Sequence, residues 1–306
     1  MNADEHLNSL LGRPFSANEA RAHGLNPVDL RLEDIRQVSR GVFVPGSAPP
    51  GLEDLVRAHL AVNPEAWASH RTAGAILGLW LPRWIEDHSA IHLSKPSHLP
   101  RVRRPGVVGH RVRILEGELE AREGLRLTSR GRTWLDLGHE LTPVALVALG
   151  DQLIRVPRPE FEGRGEPYET KASLARLLRA HPKVKGVGKC KEALADMRVG
   201  SDSVPESLLR MCLIAHGFPE PELQIRLDPT DPRSPSIDIG YPLGRIGIHY
   251  EGGHHLEPEQ QHIDLWRDTA FRRVGWDLIH ATVDDLHDDF ARVRHELRIL
   301  LSDKAA

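Results

Sequence analysis

Two carboxylates lie within a hairpin-like stretch, SIDIGYPLGRIGIHYEGGHH, which runs from Ser236 to His255. Asp238 and Glu251 each lie in a short apolar run, and the Pro and Gly between the runs suit a tight turn. Two carboxylates held close together repel each other unless a cation lies between them. Mg²⁺ prefers such oxygen ligands and keeps several waters. The stretch therefore predicts a Mg²⁺ site on Asp238 and Glu251, with Mn²⁺ as a possible substitute.

Three further side chains fit hydrolysis at such a site. His254 and His255 follow Gly252-Gly253, where either imidazole could act as a general base or orient a water. Glu206, in the preceding helix, could contact the metal or its water shell. A bound metal lowers the pKa of water and stabilises charge on a phosphate that is being cut. The alternative is that the acids are turn or cap residues and that the histidines belong to a surface loop.

The elements that must position these residues are predicted in the order α-β-β-β-α-β-α over residues 203–304. Ser203 is the expected N-cap of the first helix, with Glu206 at the third helical position. The strands are ELQIRLD, SIDIGY, RIGIHYE and WDLIHA. The helix before the last strand is amphipathic. Its predicted apolar side consists of Ile263, Trp266, Ala270 and Phe271.

Composition gives the broad class. The chain has 306 residues, a length that favours two or three domains, with 40% hydrophobic and 27% charged residues. The formal net charge of −3 means that any contact with nucleic acid must come from local patches. Two cysteines and no CxxC pair fit a reducing cytoplasm. No signal peptide or membrane span is expected.

The first half predicts two further domains. Residues 1–48 outline a winged helix-turn-helix, with a helix capped by Ser16 and Glu19, a second helix from Asn26, and a hairpin turned at Arg40-Gly41. The alternative is a generic helix-and-hairpin docking unit. Residues 51–155 form a middle α+β domain, and residues 156–202 a helical connector. A loop without acids in the middle domain could contact phosphates or could be simply solvated. Its arginines are Arg101, Arg103, Arg104, Arg111 and Arg113.

Residues 203–306 resemble the actinobacterial domain grouped with very-short-patch-repair (Vsr-like) endonucleases, in the PD-(D/E)xK superfamily. The resemblance rests on motifs in the family's order and covers about a third of the chain. They are PES with Glu206, IDIGYP with Asp238, IHYEGGHH with Glu251, DLWR with Asp264 and Arg267, and GWDLIHAT. It implies a restriction-endonuclease-like αβββαβα domain. Asp264 would support the site, and Arg267 would contact the scissile phosphate.

One departure from the family lies at the second acidic motif. Where the family has Glu-x-Asp, this chain has His249 and Glu251, so the pair reads HxE. Very-short-patch-repair nucleases resemble this stretch without an acidic pair, since they place Thr and His here. The resemblance therefore implies that His249 assists as a ligand or supports the ligands. The other outcome is a weakened or inactive nuclease that kept the fold.

The first half is similar to the abortive-infection type IV antitoxin (AbiEi-like) region. The segments FSANEARAHGL, SHRTAGAILGLWLP, IHLSKP and LTSRGRTWLDL carry this similarity. It implies DNA binding by the winged helix and says little about a partner toxin. A toxin or repair protein is kept as a possible further partner.

Two functions are therefore expected. One is a Mg²⁺-dependent DNA endonuclease of repair or phage defence. The alternative is a non-catalytic, antitoxin-like regulator that binds DNA and carries a degenerate nuclease domain.

Overall fold

The computed structural model describes residues 13–26, 30, 35–45, 50–86, 90–231, 233–252 and 258–305. The chain forms two compact units, one of residues 1–141 and 172–190, the other of residues 142–171 and 191–306. Each contains helices and sheets, so the prediction of a multidomain α+β fold is confirmed at that level. The units cut across the four predicted segments, because residues 142–155 join the second unit and residues 172–190 join the first.

The first unit begins with a small three-stranded sheet in the order β1-β3-β2. Ser16 caps the first helix, and Glu19 completes the capping box as predicted. Gly41 takes a positive φ of 72° at the hairpin turn. Most of the predicted second helix, from Asn26, lies outside the described residues. The elements are β1 (Phe15–Ser16), α1 (Ala17–Ala22), β2 (Ile35–Ser39) and β3 (Val42–Pro45).

A five-stranded mixed sheet forms the rest of the first unit, in the order β6-β5-β4-β8-β7. Strands β5 and β6 are parallel, and buried side chains of β5 and β8 face the helices. The elements are α2 (Leu52–Ala61), β4 (Trp67–Ala68), α3 (His70–Ile76), β5 (Ile91–Pro96), β6 (Val107–Val112), β7 (Leu119–Arg122), β8 (Leu125–Thr128) and α4 (Arg130–Leu137). The sequence prediction contained neither β4 nor β7, because two- and four-residue strands leave little periodicity.

The second unit is built on a four-stranded sheet in the order β12-β11-β10-β9. The pairs β9/β10 and β10/β11 are antiparallel, whereas β11 and β12 are parallel and are connected through α10. The elements are α5 (Pro143–Ile154), α6 (Pro159–Glu162), α9 (Val204–Ala215), β9 (Glu222–Arg226), β10 (Ser236–Tyr241), β11 (Ile246–Tyr250), α10 (Pro258–Arg273), β12 (Asp277–Ala281), α11 (Val283–His287) and α12 (Ala291–Ala305). The chain passes from one unit to the other at three points. The second point lies in helix α7 (Lys171–Ala180) and the third in helix α8 (Val187–Asp196).

The core of the second unit packs α9 and α12 against the sheet. Leu209, Leu213, Ile248 and Leu297 are completely buried in it. Ser203 caps α9 with Glu206 at the third position, as predicted. The sequence placed both Trp266 and Phe271 on the apolar side of α10. Phe271 is fully buried, but the prediction is wrong for Trp266, which is 56% exposed. Within the described part of the chain, no helix is both long and apolar enough to cross a membrane.

Candidate functional site

Asp238 and His249 lie side by side on neighbouring strands of the second unit. The antiparallel register of β10 and β11, with Ile239 opposite Ile248, brings them together. One carboxylate oxygen of Asp238, Oδ2, is 3.2 Å from Nδ1 of His249 and accepts a 3.3 Å hydrogen bond from the backbone N–H of Tyr250. His249 is completely buried. Asp238 is therefore held in one orientation by β11.

Asp268 of α10 joins this histidine to a second one. The parallel register of β11 and β12 places His280 beside His249, with ring centroids 5.9 Å apart. Oδ1 of Asp268 is 4.0 Å from Nε2 of His249, and its Oδ2 is 2.9 Å from Nε2 of His280. One carboxylate thus faces both imidazoles.

Glu251 completes the row. Its Oε1 is 2.7 Å from Nδ1 of His280, and its backbone N–H donates a 2.7 Å hydrogen bond to the carbonyl of Ala281. Acids and imidazoles therefore alternate across three neighbouring strands and one helix. We call this row the acid–imidazole chain; its members are Asp238, His249, Asp268, His280 and Glu251.

Two atoms in the acid–imidazole chain have no hydrogen-bond partner among the described residues. They are Nε2 of His249 and Oδ1 of Asp268, and both are buried. Buried polar atoms are almost always paired, so such a pair marks a place for a proton, a water or a ligand. The two atoms face each other across 4.0 Å.

Glu206 adds a second carboxylate near Asp238. It closes the cap of α9 by accepting hydrogen bonds from the Ser203 hydroxyl and from the Asp202 backbone N–H. Burial raises the pKa of Glu206 well above its ordinary value, and the negative charge of Asp238 raises it further. Arg158 forms an ion pair with Asp202 nearby. Burial opposes the charge of Arg158, but hydrogen bonding to Asp202 and the negative charges of Asp202, Asp238 and Glu206 raise its pKa.

The structure thus brings only some of the predicted site residues together. The structure brings Asp238 together with His249 and Glu206, and connects Glu251 through His280. The described groups with the compact spacing of metal ligands contain neither Asp238 nor Glu251, so the Mg²⁺ site on this pair stays a prediction. His254 and His255 lie outside the described residues, as does the side chain of Asp264. Arg267 is half-buried in α10.

Sequence reasoning missed Asp268 and His280. Asp268 follows the DLWR motif directly, and His280 lies in the strand segment WDLIHA, in which Asp277 is also polar. A polar residue within a short strand is a usable signal of a site. The parallel pairing of β11 with β12, which places His280 beside His249, is not readable from either segment alone.

The first unit contains a basic cavity of about 690 Å³. Four of the five loop arginines predicted to bind nucleic acid line it, together with Arg132 and two lysines that the sequence reasoning did not include. Arg104 does not line it, because its guanidinium hydrogen-bonds to the carbonyl of Arg40 in the β2–β3 hairpin. The cationic lining consists of Arg101, Arg103, Arg111, Arg113, Arg132, Lys183 and Lys185. This concentration of positive charge suits phosphate groups.

The comparisons with known proteins are distant. Two uncharacterized proteins of Mycobacterium tuberculosis, from strains CDC 1551 and H37Rv, are each 26% identical over 271 residues. The alignment covers 87% of this chain and 92% of each relative. No family model matches the sequence. No solved structure shows significant similarity to it.

Proposed function

We propose that this protein is a Mg²⁺-dependent DNA endonuclease whose site lies in the second unit. The observation that carries the proposal is the gathering of acids around His249: Oδ2 of Asp238 is 3.2 Å and Oδ1 of Asp268 is 4.0 Å from its two ring nitrogens. Burial, and then the charge of Asp238, raise the pKa of Glu206. Carboxylates that repel in a largely buried site are stabilised by a cation. The adjacent acid–imidazole chain supplies groups that can accept a proton.

The donor set fits a hard divalent cation. Asp238, with Glu251 or Glu206, would hold Mg²⁺ through oxygen atoms, and Mn²⁺ would substitute. When bound, the metal supplies an activated water and stabilises charge on the phosphate. The proposal keeps the predicted roles of His254 and His255 as general-base candidates, of Asp264 as support, and of Arg267 as a contact to the scissile phosphate.

The chain's own residues do the positioning. His249 and the Tyr250 backbone hold Asp238 in place, as the 3.2 and 3.3 Å distances indicate. Asp268 and Glu251 hold His280 from opposite ring nitrogens. His280 is 31% exposed on its side chain, but both of its ring nitrogens face carboxylates, so its role is to orient Asp268 and Glu251.

DNA would be held by the first unit. The capped helix α1 and the β2–β3 hairpin support the winged-helix prediction, and the cationic lining of the basic cavity offers phosphate contacts. The expected role is in DNA repair or phage defence.

A second candidate function is favoured by His249. This residue stands where the resembling family has an acid, and it already hydrogen-bonds to Asp238. Such a site would bind metal weakly, and the protein would then be a non-catalytic, antitoxin-like DNA-binding regulator. A toxin or repair protein would be its partner.

Nicking of supercoiled DNA and of mismatch-containing DNA separates the two functions. The purified chain is assayed in Mg²⁺, in Mn²⁺ and in EDTA, beside Asp238→Ala. We expect cutting in either metal, none in EDTA, and none by the variant. DNA binding without cutting in any metal would contradict the nuclease and favour the regulator.

A further inference from the structure

Three histidines converge in the first unit, far apart in sequence. His70 is the first residue of α3, His92 lies in β5, and His110 lies in the parallel strand β6. One ring nitrogen of each lies within 4.8 Å of those of the other two. Nε2 of His110 is 3.1 Å from Nδ1 of His92, and the ring of His70 stacks on that of His110 with centroids 3.7 Å apart.

These imidazoles are largely shielded from water. His70 and His92 are 5% and 8% exposed, and the ring of His110 packs against both of them. An imidazole binds a metal through the lone pair of an unprotonated ring nitrogen.

We propose that His70, His92 and His110 form a binding site for a divalent transition metal, with Zn²⁺ the best fit. Three imidazoles are a common donor set for tetrahedral Zn²⁺, and nitrogen donors select Zn²⁺, Co²⁺ or Ni²⁺ over Mg²⁺. Tetrahedral Zn–N bonds of about 2.0–2.1 Å place the nitrogens roughly 3.3 Å apart. Nε2 of His110 and Nδ1 of His92 are 3.1 Å apart in a hydrogen bond between the two rings, so an ion would replace this hydrogen bond with little change in the separation.

The residues around His70 are of the kinds that orient metal-binding histidines. Its Nδ1 is 3.0 Å from Oγ of Ser69, and Ser94 donates a 2.7 Å hydrogen bond to the same Oγ. Oδ2 of Asp136 lies 4.0 Å from Nδ1 and has no hydrogen-bond partner among the described residues. Carboxylates and hydroxyls on the second ring nitrogen commonly orient metal-binding histidines.

The strained backbone of His70 gives independent support for a metal site at this residue. Its φ is 51°, in the left-handed region that a residue with a Cβ seldom occupies. Strain of this kind persists where the surroundings fix a side chain for a function. His70 and His110 also line the cavity, so the cluster can be reached from solvent.

Two other described groups have metal-like spacing, and both are weaker candidates. His139 and Glu140 share His70, but Glu140 is occupied by a 2.5 Å ion pair with Arg71. Cys212, His216 and Asp289 lie in the second unit. There burial raises the pKa of the Cys212 thiol to about 12, so the thiol stays protonated.

Metal titration of the whole chain tests the site. The protein is stripped with a chelator, and Zn²⁺ binding is measured by competition with a chromophoric chelator, with Co²⁺ absorption reporting the coordination. We expect one Zn²⁺ per chain, a tetrahedral Co²⁺ spectrum, a raised melting temperature, and no competition by Mg²⁺. His92→Ala and His110→Ala should weaken binding at least about 100-fold. The control His98→Ala, at an exposed histidine of the same unit, should bind like the wild type.

Other variants make the test decisive. Glu140→Gln and His216→Ala should leave Zn²⁺ affinity unchanged, and loss of binding in either would overturn the assignment. Absence of stoichiometric binding to the wild type would overturn it as well. Circular dichroism in chelator checks that each variant is folded. If an alanine variant unfolds, His92→Gln and His110→Gln replace it, and wild-type affinity in both would contradict the proposal.

Discussion

Each unit places two histidines on a pair of parallel strands, but the neighbours of these histidines differ. In the first unit, His92 and His110 on β5 and β6 contact each other and His70. In the second unit, His249 and His280 on β11 and β12 are separated by Asp268 and flanked by further acids. The same strand arrangement thus carries an all-imidazole cluster in one unit and alternating imidazoles and carboxylates in the other.

The difference shows that neighbouring charge, more than the histidine itself, determines the chemistry of each site. The cluster of the first unit offers only nitrogen ligands, which suit a transition metal, and it lies beside a cavity whose cationic lining suits phosphate. In the second unit, carboxylates gather near Asp238, where they suit Mg²⁺ and phosphate chemistry. Variants in one unit or the other therefore test this difference.

The largest expected effect on stability comes from a glycine beside each histidine pair. A Cβ on Gly109 would lie 2.0 Å from the carbonyl oxygen of Val102, a backbone atom that cannot rotate away. A Cβ on Gly247 would lie 2.6 Å from the end of the Ile237 side chain, which can move. We expect Gly109→Ala to lower the free energy of unfolding by about 3 kcal/mol and Gly247→Ala by about half as much. Denaturant titration measures both, and equal losses would contradict this reading of the two strand pairs.

Breaking the centre of the acid–imidazole chain should have the next largest effect. Asp268→Asn removes the charge that faces His249 and His280, while the side-chain shape is kept. We expect DNA nicking in Mg²⁺ to slow by about 10- to 100-fold, the usual cost of losing a residue that orients ligands. The matched control is Asp284→Asn, at an exposed acid of α11. Equal rates for the two variants would remove Asp268 from the site.

The smallest effect is expected in the basic cavity. Arg111→Ala removes one cation from its lining. We expect a severalfold loss of DNA affinity and a fall of about 1 in the slope of log affinity against log salt, the value for one phosphate contact. The exposed Arg83 on the same unit provides the control variant Arg83→Ala. An unchanged salt slope in Arg111→Ala would mean that DNA binds elsewhere.

Local signals in the sequence predicted much of the fold. Ser16 with Glu19 and Ser203 with Glu206 predicted two helix starts correctly, because an N-cap and the residue that it contacts are only three positions apart. The amphipathic pattern of α10 placed Phe271 correctly in the core. It failed for Trp266, because periodicity does not show where a helix extends past the sheet it covers.

The sites were less predictable, because their residues meet only through strand pairing. Asp238 and Glu251 stood out as acids in apolar strands. Asp268 and His280 join them through the parallel β11/β12 register, which depends on the whole crossover. The cluster of His70, His92 and His110 draws on three elements, and no spacing in the sequence connects them.

The rate of DNA nicking in Mg²⁺ by Asp238→Asn, beside Asp303→Asn, tests the central claim most directly. Asp303 is an exposed acid of the same unit and serves as the matched control. We expect wild-type nicking by Asp303→Asn and about a thousandfold slower nicking by Asp238→Asn, since a metal contributes several kcal/mol to such a reaction. DNA affinity should be equal in both. Equal nicking rates, or no nicking by the wild type, would contradict the claim that the carboxylates around Asp238 form a nuclease site.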